Sequence, residues 1–294
     1  MVKRNPPPGP APSPLEPGLY VTATPIGNAR DVTLRALDVL RQCDVIVAED
    51  TRTTAKLLAI HVISRPLLAY NDYNAPRVRP QILDRLARGE RVVLVSDAGT
   101  PLISDPGYKL VKAALAAGSR IHAVPGASAA LAALVLSALP TDRFLFAGFL
   151  PPSKAARRSA LQELKTLTCS LIFFEAPQRL AESLRDMCDV LGDRPAAVAR
   201  ELTKLHEEVR RDNICALADM FAAESAPRGE ITVVVGPGPG ALPDWERVDV
   251  LLERAVAFMP VRTAAEFVSG ALNLPRRLVY NRAIARGNAP DRDA

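Results

Sequence analysis

The sequence is poor in cysteine and histidine and lacks both a long apolar run and the common nucleotide loops. Each shortage narrows the function. Its 294 residues include four cysteines, Cys43, Cys169, Cys188 and Cys215, far apart and without a Cys-x-x-Cys pair. That spacing argues against structural zinc and against a disulfide framework, and predicts four buried thiols. Three scattered histidines, His61, His122 and His206, form no ligand set, so no metal is expected. The longest uncharged run, Ile121 to Thr141, is broken at Pro125-Gly126 and leaves a helix of about 13 residues, short of the roughly 20 a membrane span needs. A buried core helix is expected there, and no membrane partner. Lys3 and Arg4 precede no apolar segment, so no secretory signal is read and a cytoplasmic location is expected. No Gly-x-Gly-x-x-Gly follows the first strand, and there is no Walker A loop or His-Glu-x-x-His. An ordinary dinucleotide site and an NTPase are disfavoured.

What is present is an ordinary globular composition, with 48% apolar and 23% charged residues, which excludes wholesale disorder. The length suggests about two domains. A net charge of +5 and a pI near 9.2 are compatible with a polyanionic partner without requiring one. Residues 1–17 hold seven prolines and read as a flexible tail.

From Gly18 the chain alternates. Strands are predicted at 19–24, 44–48, 91–95 and 120–124, with helices at 31–42, 53–60, 78–88 and 105–117 between them. That alternation argues for an open α/β sheet with mostly parallel strands. After a helix at 127–139, further strands are predicted at 143–149, 170–175, 196–200 and 231–235, with helices at 154–166, 177–191 and 213–224. Gly236 to Gly240 reads as a hinge, because no helix opens directly behind it. Residues 243–294 read as helical. There Arg262, Arg276, Arg277, Arg282 and Arg286 face one acid, Glu266, and a solvated helix face and an RNA-phosphate contact are equally good explanations.

Three strand-end loops are rich in small residues: Ala23-Thr24-Pro25-Ile26-Gly27-Asn28, Ser96-Asp97-Ala98-Gly99-Thr100-Pro101 with Ser104 to Gly107, and Pro125-Gly126-Ala127-Ser128. Ligands bind beyond the carboxyl ends of strands in open α/β sheets, and small residues let them reach the backbone. One such loop would be a turn; three favour a site. Glu49-Asp50-Thr51-Arg52 either positions a hydroxyl or phosphate or simply caps the next helix. Arg200 to Lys204 is equally ambiguous. Lys154, Arg157 and Arg158 give a basic helix start, where the helix dipole favours acids, so an external anion is expected there.

Taken in order, Leu19 to Asn28, Asp31 to Leu37, Glu49 to Arg52, Ser96 to Gly107, Val124 to Ala129, Gly148 to Pro151, Glu175-Ala176-Pro177 with Arg179, and Arg200 to Glu207 carry a specific resemblance. Over roughly 18–286 the chain resembles the ribosomal RNA small subunit methyltransferase I family, within the tetrapyrrole methylase superfamily. The resemblance implies two α/β domains with a cofactor cleft between them, here 18–126 and 127–240, followed by a helical Arg-rich extension at 241–294. It implies S-adenosylmethionine as cofactor, a homodimer, and methylation of the ribose 2′-hydroxyl of one decoding-region cytidine in 16S rRNA or the small ribosomal subunit. By matching motif, the cofactor would lie against Pro25, Gly27, Asp97, Ala98, Gly99, Thr100, Pro101, Ala127, Ser128, Ala176, Gly229 and Thr232. Asp50 is the first candidate for a general base, followed by Glu201 and Glu175. RNA contacts are expected from Arg52, Lys154, Arg157, Arg158, Arg179, Arg276 and Arg277.

One segment departs from the family pattern. Where a Tyr-His-x-His-Asn-like stretch is usual, this chain has Tyr70-Asn71-Asp72-Tyr73-Asn74, read as RNA contacts that Asn and Tyr supply by hydrogen bonding and stacking. Two rivals stand beside the ribosomal reading. One is a methyltransferase of the same superfamily acting on a tetrapyrrole or a protein side chain; the other is a non-catalytic ribosome-assembly protein.

Overall fold

Strands that are apolar on both faces need helices on both faces, and the first part of the chain supplies them. Strands β1 (Gly18–Thr22), β2 (Val45–Ala48), β3 (Leu67–Ala69), β4 (Arg91–Val95) and β5 (Ile121–Val124) form one parallel sheet in the order β3-β2-β4-β1-β5. Helices α1 (Leu34–Gln42) and α2 (Thr51–Ile60) bury Ala36, Leu37, Leu40 and Leu58 against one face. The other face receives Val78, Ile82 and Leu86 of α3 (Ala75–Ala87), and Leu110 and Ala114 of α4 (Tyr108–Ala116). Thr33 caps α1 through its hydroxyl, which is why the helix expected from 31 starts at Leu34.

The second sheet departs from the parallel pattern. Strands β6 (Phe144–Phe149), β7 (Ser170–Glu175), β8 (Pro195–Arg200), β9 (Glu208–Asn213) and β10 (Ile231–Val235) take the order β6-β7-β10-β8-β9. Only β6 and β7 run parallel; the remaining pairs are antiparallel. Two strands escaped the sequence reading. β3 is three residues long, and β9, reading Glu-Val-Arg-Arg-Asp-Asn, lacks apolar alternation because it is an edge strand carrying charge.

Helices α6 (Lys154–Leu164), α7 (Leu180–Leu191) and α8 (Ile214–Ala223) cover one face of this sheet. On the other face α5 (Ala129–Ser137) packs Ala130, Ala133 and Leu134 against Ile172, Ala199 and Val234. The expected fully buried helix is thus a one-sided one of nine residues, with Leu131 50% and Val135 75% exposed. The four free thiols also need correction. α7 and α8 lie side by side and bring Cys188 and Cys215 into a disulfide with Cα atoms 5.1 Å apart, a proximity their 27-residue separation conceals. Cys43 is a buried free thiol and Cys169 a half-buried one.

The computed structural model describes residues 13–103, 107–239, 244–272 and 274–287. Most of the Pro-rich tail and the loop residues Ser104, Asp105 and Pro106 lie outside them. The chain divides into two units, Met1–Gly238 and Pro239–Ala294. The second contains α9 (Trp245–Val256), α10 (Val261–Leu272) and α11 (Arg276–Gly287), closed around Val248, Leu252, Ala264, Val268 and Val279. Among the described residues, no helix is long and apolar enough to cross a membrane, and no cluster of His, Cys, Asp and Glu could hold a metal.

Candidate functional site

The strand-end loops of the first sheet are stitched together by their backbones. Thr24 N–H donates to the Gly99 carbonyl at 2.8 Å, and Gly99 N–H returns a bond to Thr24 at 3.1 Å. The Thr24 hydroxyl donates to the Ser96 carbonyl, and Thr100 Oγ1 to the Ala127 carbonyl, each at 3.2 Å. Asp50 N–H donates to Asp97 Oδ1 at 3.0 Å, which draws in the loop after β2. Stretches that stand far apart in sequence therefore meet at the carboxyl end of one sheet. Gly99 has φ +78°, a conformation that disfavours any side chain, so the glycine is required by the turn.

The opposite wall comes from the second sheet. Asn28 N–H donates to Thr203 Oγ1 at 3.1 Å, tying the β1 loop to the turn after β8. That turn holds two non-glycine residues in left-handed conformation, Glu201 (φ +51°) and Thr203 (φ +66°), a local strain typical of functional sites. Lys204 Nζ bonds Glu201 Oε1 at 2.7 Å and Glu230 Oε2 at 2.8 Å, while Glu230 N–H donates to Glu201 at 3.0 Å. This packing leaves no space at two glycines. A Cβ at Gly27 would overlap the Lys204 side chain, and one at Gly229 the Glu201 carboxylate.

Between the walls lies a cavity of about 440 Å³. Asp97, Ala98, Gly99, Thr100 and Ser128 line one side; Glu175, Ala176, Gly229 and Thr232 line the other. Ile26, Phe149, Phe174 and Leu202 supply apolar surface. A smaller cavity of about 270 Å³, lined by Thr24, Pro25, Gly27, Thr53, Thr54 and Lys204, adjoins it; Asp97, Ala98, Ile26 and Glu230 border both. Pro101 is buried and Ala127 half-buried, and neither lines either cavity. The apolar wall residues were missed because a cavity lining and a core look alike in sequence. Glu49, another lining residue, stands in a stretch the sequence reading flagged.

The three candidate bases are all engaged. Asp50 caps α2 and pairs with Arg52 at 2.7 Å; that guanidinium, with the Arg52 N–H, holds its carboxyl down to about 2. The Lys204 ammonium holds Glu201 below the usual carboxylate range. Glu175 is buried and accepts from Ser183 Oγ at 2.5 Å, from Ala176 N–H at 2.7 Å and from Arg179 at 2.6 Å.

The basic residues separate into two groups. Arg52 is exposed, with its guanidinium on Asp50, and Lys154 is exposed. Arg157, expected on RNA, is only 1% exposed and sits on Asp186, so the anion anticipated at this helix start is internal. Arg158 bridges Asp186 at 3.0 Å and Asp189 at 2.8 Å. Arg179 bonds Glu175 and the Leu150 carbonyl. In the helical unit Arg276 pairs with Glu266, while Arg282 and Arg286 share Asp249. Its local excess of arginine is therefore largely neutralised by acids that precede it in the chain. Arg277 is exposed and has no carboxylate partner among the described residues.

The 70–74 segment also needs correction. Asn71 and Asn74 exchange side-chain-to-backbone bonds at 2.9 and 3.2 Å, and Asn74 Nδ2 donates to the Ala69 carbonyl at 3.0 Å. These bonds shape the loop. Tyr70 is buried, its hydroxyl accepting from Arg79. Tyr73 alone among the tyrosines and asparagines of this loop projects, 98% exposed.

Residues 18–218 match the family Tetrapyrrole (Corrin/Porphyrin) Methylases, and residues 243–287 match the RsmI C-terminal HTH domain. The chain is 48% identical over 271 residues to a ribosomal RNA small subunit methyltransferase I of Erythrobacter litoralis, spanning 92% of this chain and 96% of the relative. A protein of the same name from Mesorhizobium japonicum is 47% identical over 272 residues, 92% of each chain. Among solved structures, a uroporphyrin-III C-methyl transferase from Thermus thermophilus complexed with S-adenyl homocysteine superposes with a TM-score of 0.53 at 18% identity, covering 76% of this chain and 97% of that one. That likeness carries the fold alone. The chain belongs to the tetrapyrrole methylase family and, within it, to the ribosomal RNA small subunit methyltransferase I family.

Proposed function

We propose that this protein is an S-adenosylmethionine-dependent methyltransferase acting on the ribose 2′-hydroxyl of a decoding-region cytidine in 16S rRNA. The observation that carries the proposal is a cavity built from backbone and small residues in a chain whose near-full-length relatives are named for methylating small-subunit RNA. The larger cavity has a volume suited to a small-molecule cofactor. Its donor set also fits one that carries an amino acid and a nucleoside. Thr100, Ser128 and Thr232 present hydroxyl-bearing side chains, and Ile26, Phe174 and Leu202 present apolar surface.

When bound, S-adenosylmethionine supplies a methyl group already activated on a sulfonium. The protein's own task is then alignment. The strand-end loops of the first sheet and the turns of the second form opposite walls, and holding two reactants between them can contribute as much as ~7–11 kcal/mol of the barrier. The Asn28–Thr203 tie and the Lys204 bonds to Glu201 and Glu230 fix the separation of those walls. Arg52, Lys154 and Arg277 supply exposed cations for the RNA backbone. The exposed Leu131 and Val135 of α5 support a homodimer.

Small ribosomal subunits lacking the modification, incubated with methyl-labelled S-adenosylmethionine and the protein, should acquire label in 16S rRNA. Calorimetry should show S-adenosylhomocysteine binding to the protein alone. Binding without transfer to any ribosomal RNA would contradict the proposal.

A further inference from the structure

The target hydroxyl must lose a proton, and the three carboxylates expected to take it are already committed. Asp50 is paired with Arg52, Glu201 with Lys204, and Glu175 with Arg179, Ser183 and Ala176 N–H. An acceptor held by a cation is a weakened base.

Asp97 differs in both place and partners. It borders both cavities, at their junction. Its Oδ1 accepts one backbone bond, from Asp50 N–H at 3.0 Å, and it has no salt bridge among the described residues. We propose that Asp97 is the proton acceptor for the target hydroxyl, with the cofactor in the larger cavity and the ribose in the smaller one. This assignment rests on the ribose-methylation reading.

The step balances in atoms and charge. As the hydroxyl oxygen bonds the methyl carbon, the carbon–sulfur bond breaks with its electron pair left on sulfur. The O–H bond breaks with its pair left on oxygen, and the proton passes to Asp97 Oδ2. Sulfonium and carboxylate both end neutral. The proton then leaves to water along the exposed edge of Asp97.

The surroundings favour that role. Burial between the walls raises the Asp97 pKa and the Asp50 carboxylate adds to it, against a lowering by Asp50 N–H and by Arg52; the net direction is upward. Glu49 lines the larger cavity, Lys204 the smaller and Glu230 both. The Lys204 ammonium is taken up by Glu201 and Glu230, so no free cation from that side quenches Asp97.

The test is Asp97→Asn, which keeps an oxygen for Asp50 N–H. Calorimetry with S-adenosylhomocysteine should give wild-type affinity, while kcat on small subunits falls by about 10²–10⁴-fold. Wild-type kcat should rise with pH through one ionisation that the variant lacks. A 13C carboxyl resonance titrating above ordinary aspartates should likewise vanish in the variant. Unchanged kcat overturns the assignment. So does a loss confined to S-adenosylhomocysteine affinity, which would make Asp97 a cofactor ligand. Label on the base in the wild type alone would overturn the ribose reading and this assignment with it.

Discussion

Arg157 and Asp186 form an ion pair at 2.7 Å in which both side chains are sealed from water, joining α6 to α7. Removing one partner of such a pair leaves an uncompensated buried charge, costing ~3–5 kcal/mol. Arg157→Ala should show that loss in urea unfolding, while the folded fraction keeps its RNA affinity and salt slope. Arg158→Ala, which leaves Asp186 its bond from Arg157, should destabilise the fold far less. Equal effects would mean that the Arg157–Asp186 pair contributes no more than the Arg158 contacts.

Asp186 gives the same contact a pH dependence. Burial alone would raise its pKa, but the bonds from Arg158 and Arg157 outweigh it and hold it below the ordinary value. A depressed folded pKa means the unfolded state binds protons first as pH falls. The stabilisation is therefore complete above the unfolded value near 3.8 and is lost as pH drops through the lower folded one. Asp186→Asn should be less stable than wild type at neutral pH and show a flatter acid limb between about pH 5 and 2. Parallel acid limbs in the two proteins would rule the pair out as a source of it.

Gly99→Val places a β-branched side chain at φ +78°, with its Cβ at 3.4 Å from Ile26 Cγ2 and its methyls beside the cavity. The backbone strain should cost about 1–3 kcal/mol, leaving a folded protein. S-adenosylhomocysteine affinity should fall below calorimetric detection. Retained affinity would show that this loop is only a turn.

Tyr73 is the projecting aromatic of a loop that Asn71 and Asn74 hold in shape. Its loop follows β3, which pairs with β2, and Tyr70 N–H bonds the Ala48 carbonyl just before Glu49, a residue that lines the larger cavity. Loss of a base-stacking contact is worth about 1–3 kcal/mol. Tyr73→Ala should raise KM for the RNA accordingly, Tyr73→Trp should not, and both should bind S-adenosylhomocysteine normally. An unchanged KM in the alanine variant would remove Tyr73 from the RNA surface.

Arg276 and Arg277 are neighbours with different surroundings, the first paired with Glu266 and the second without a carboxylate partner among the described residues. Arg277→Ala should reduce the slope of log affinity against log salt by about 0.7–0.9, one released counterion. Arg276→Ala should change it less. Equal changes would show that the Glu266 pair opens when RNA binds.

The legible parts of the molecule are those where local pattern and global fold agree. Apolar runs bounded by turns, such as Arg91–Val95 and Ser170–Glu175, can be placed to the residue. The small-residue loops point to the cavity because three of them follow strands of one sheet, and Asp97 to Thr100 and Ser128 line it. What escapes is set by tertiary partners. Arg157 in isolation reads as a surface cation, and only α7 shows it Asp186. Cys188 and Cys215 meet because two helices pack together. β9 carries the charge of an edge strand and so resembles a loop. Asp97 is visible in sequence as a site residue, but its place between two cavities is not.

The central claim is transfer of a methyl group to a ribose oxygen. After incubation of the protein with methyl-labelled S-adenosylmethionine and unmodified small subunits, the extracted 16S rRNA is hydrolysed in alkali. A 2′-O-methyl group blocks cleavage at its own phosphate. The account predicts label in an alkali-stable dinucleotide containing cytidine; label released in mononucleotides would place the methyl group on a base and contradict it.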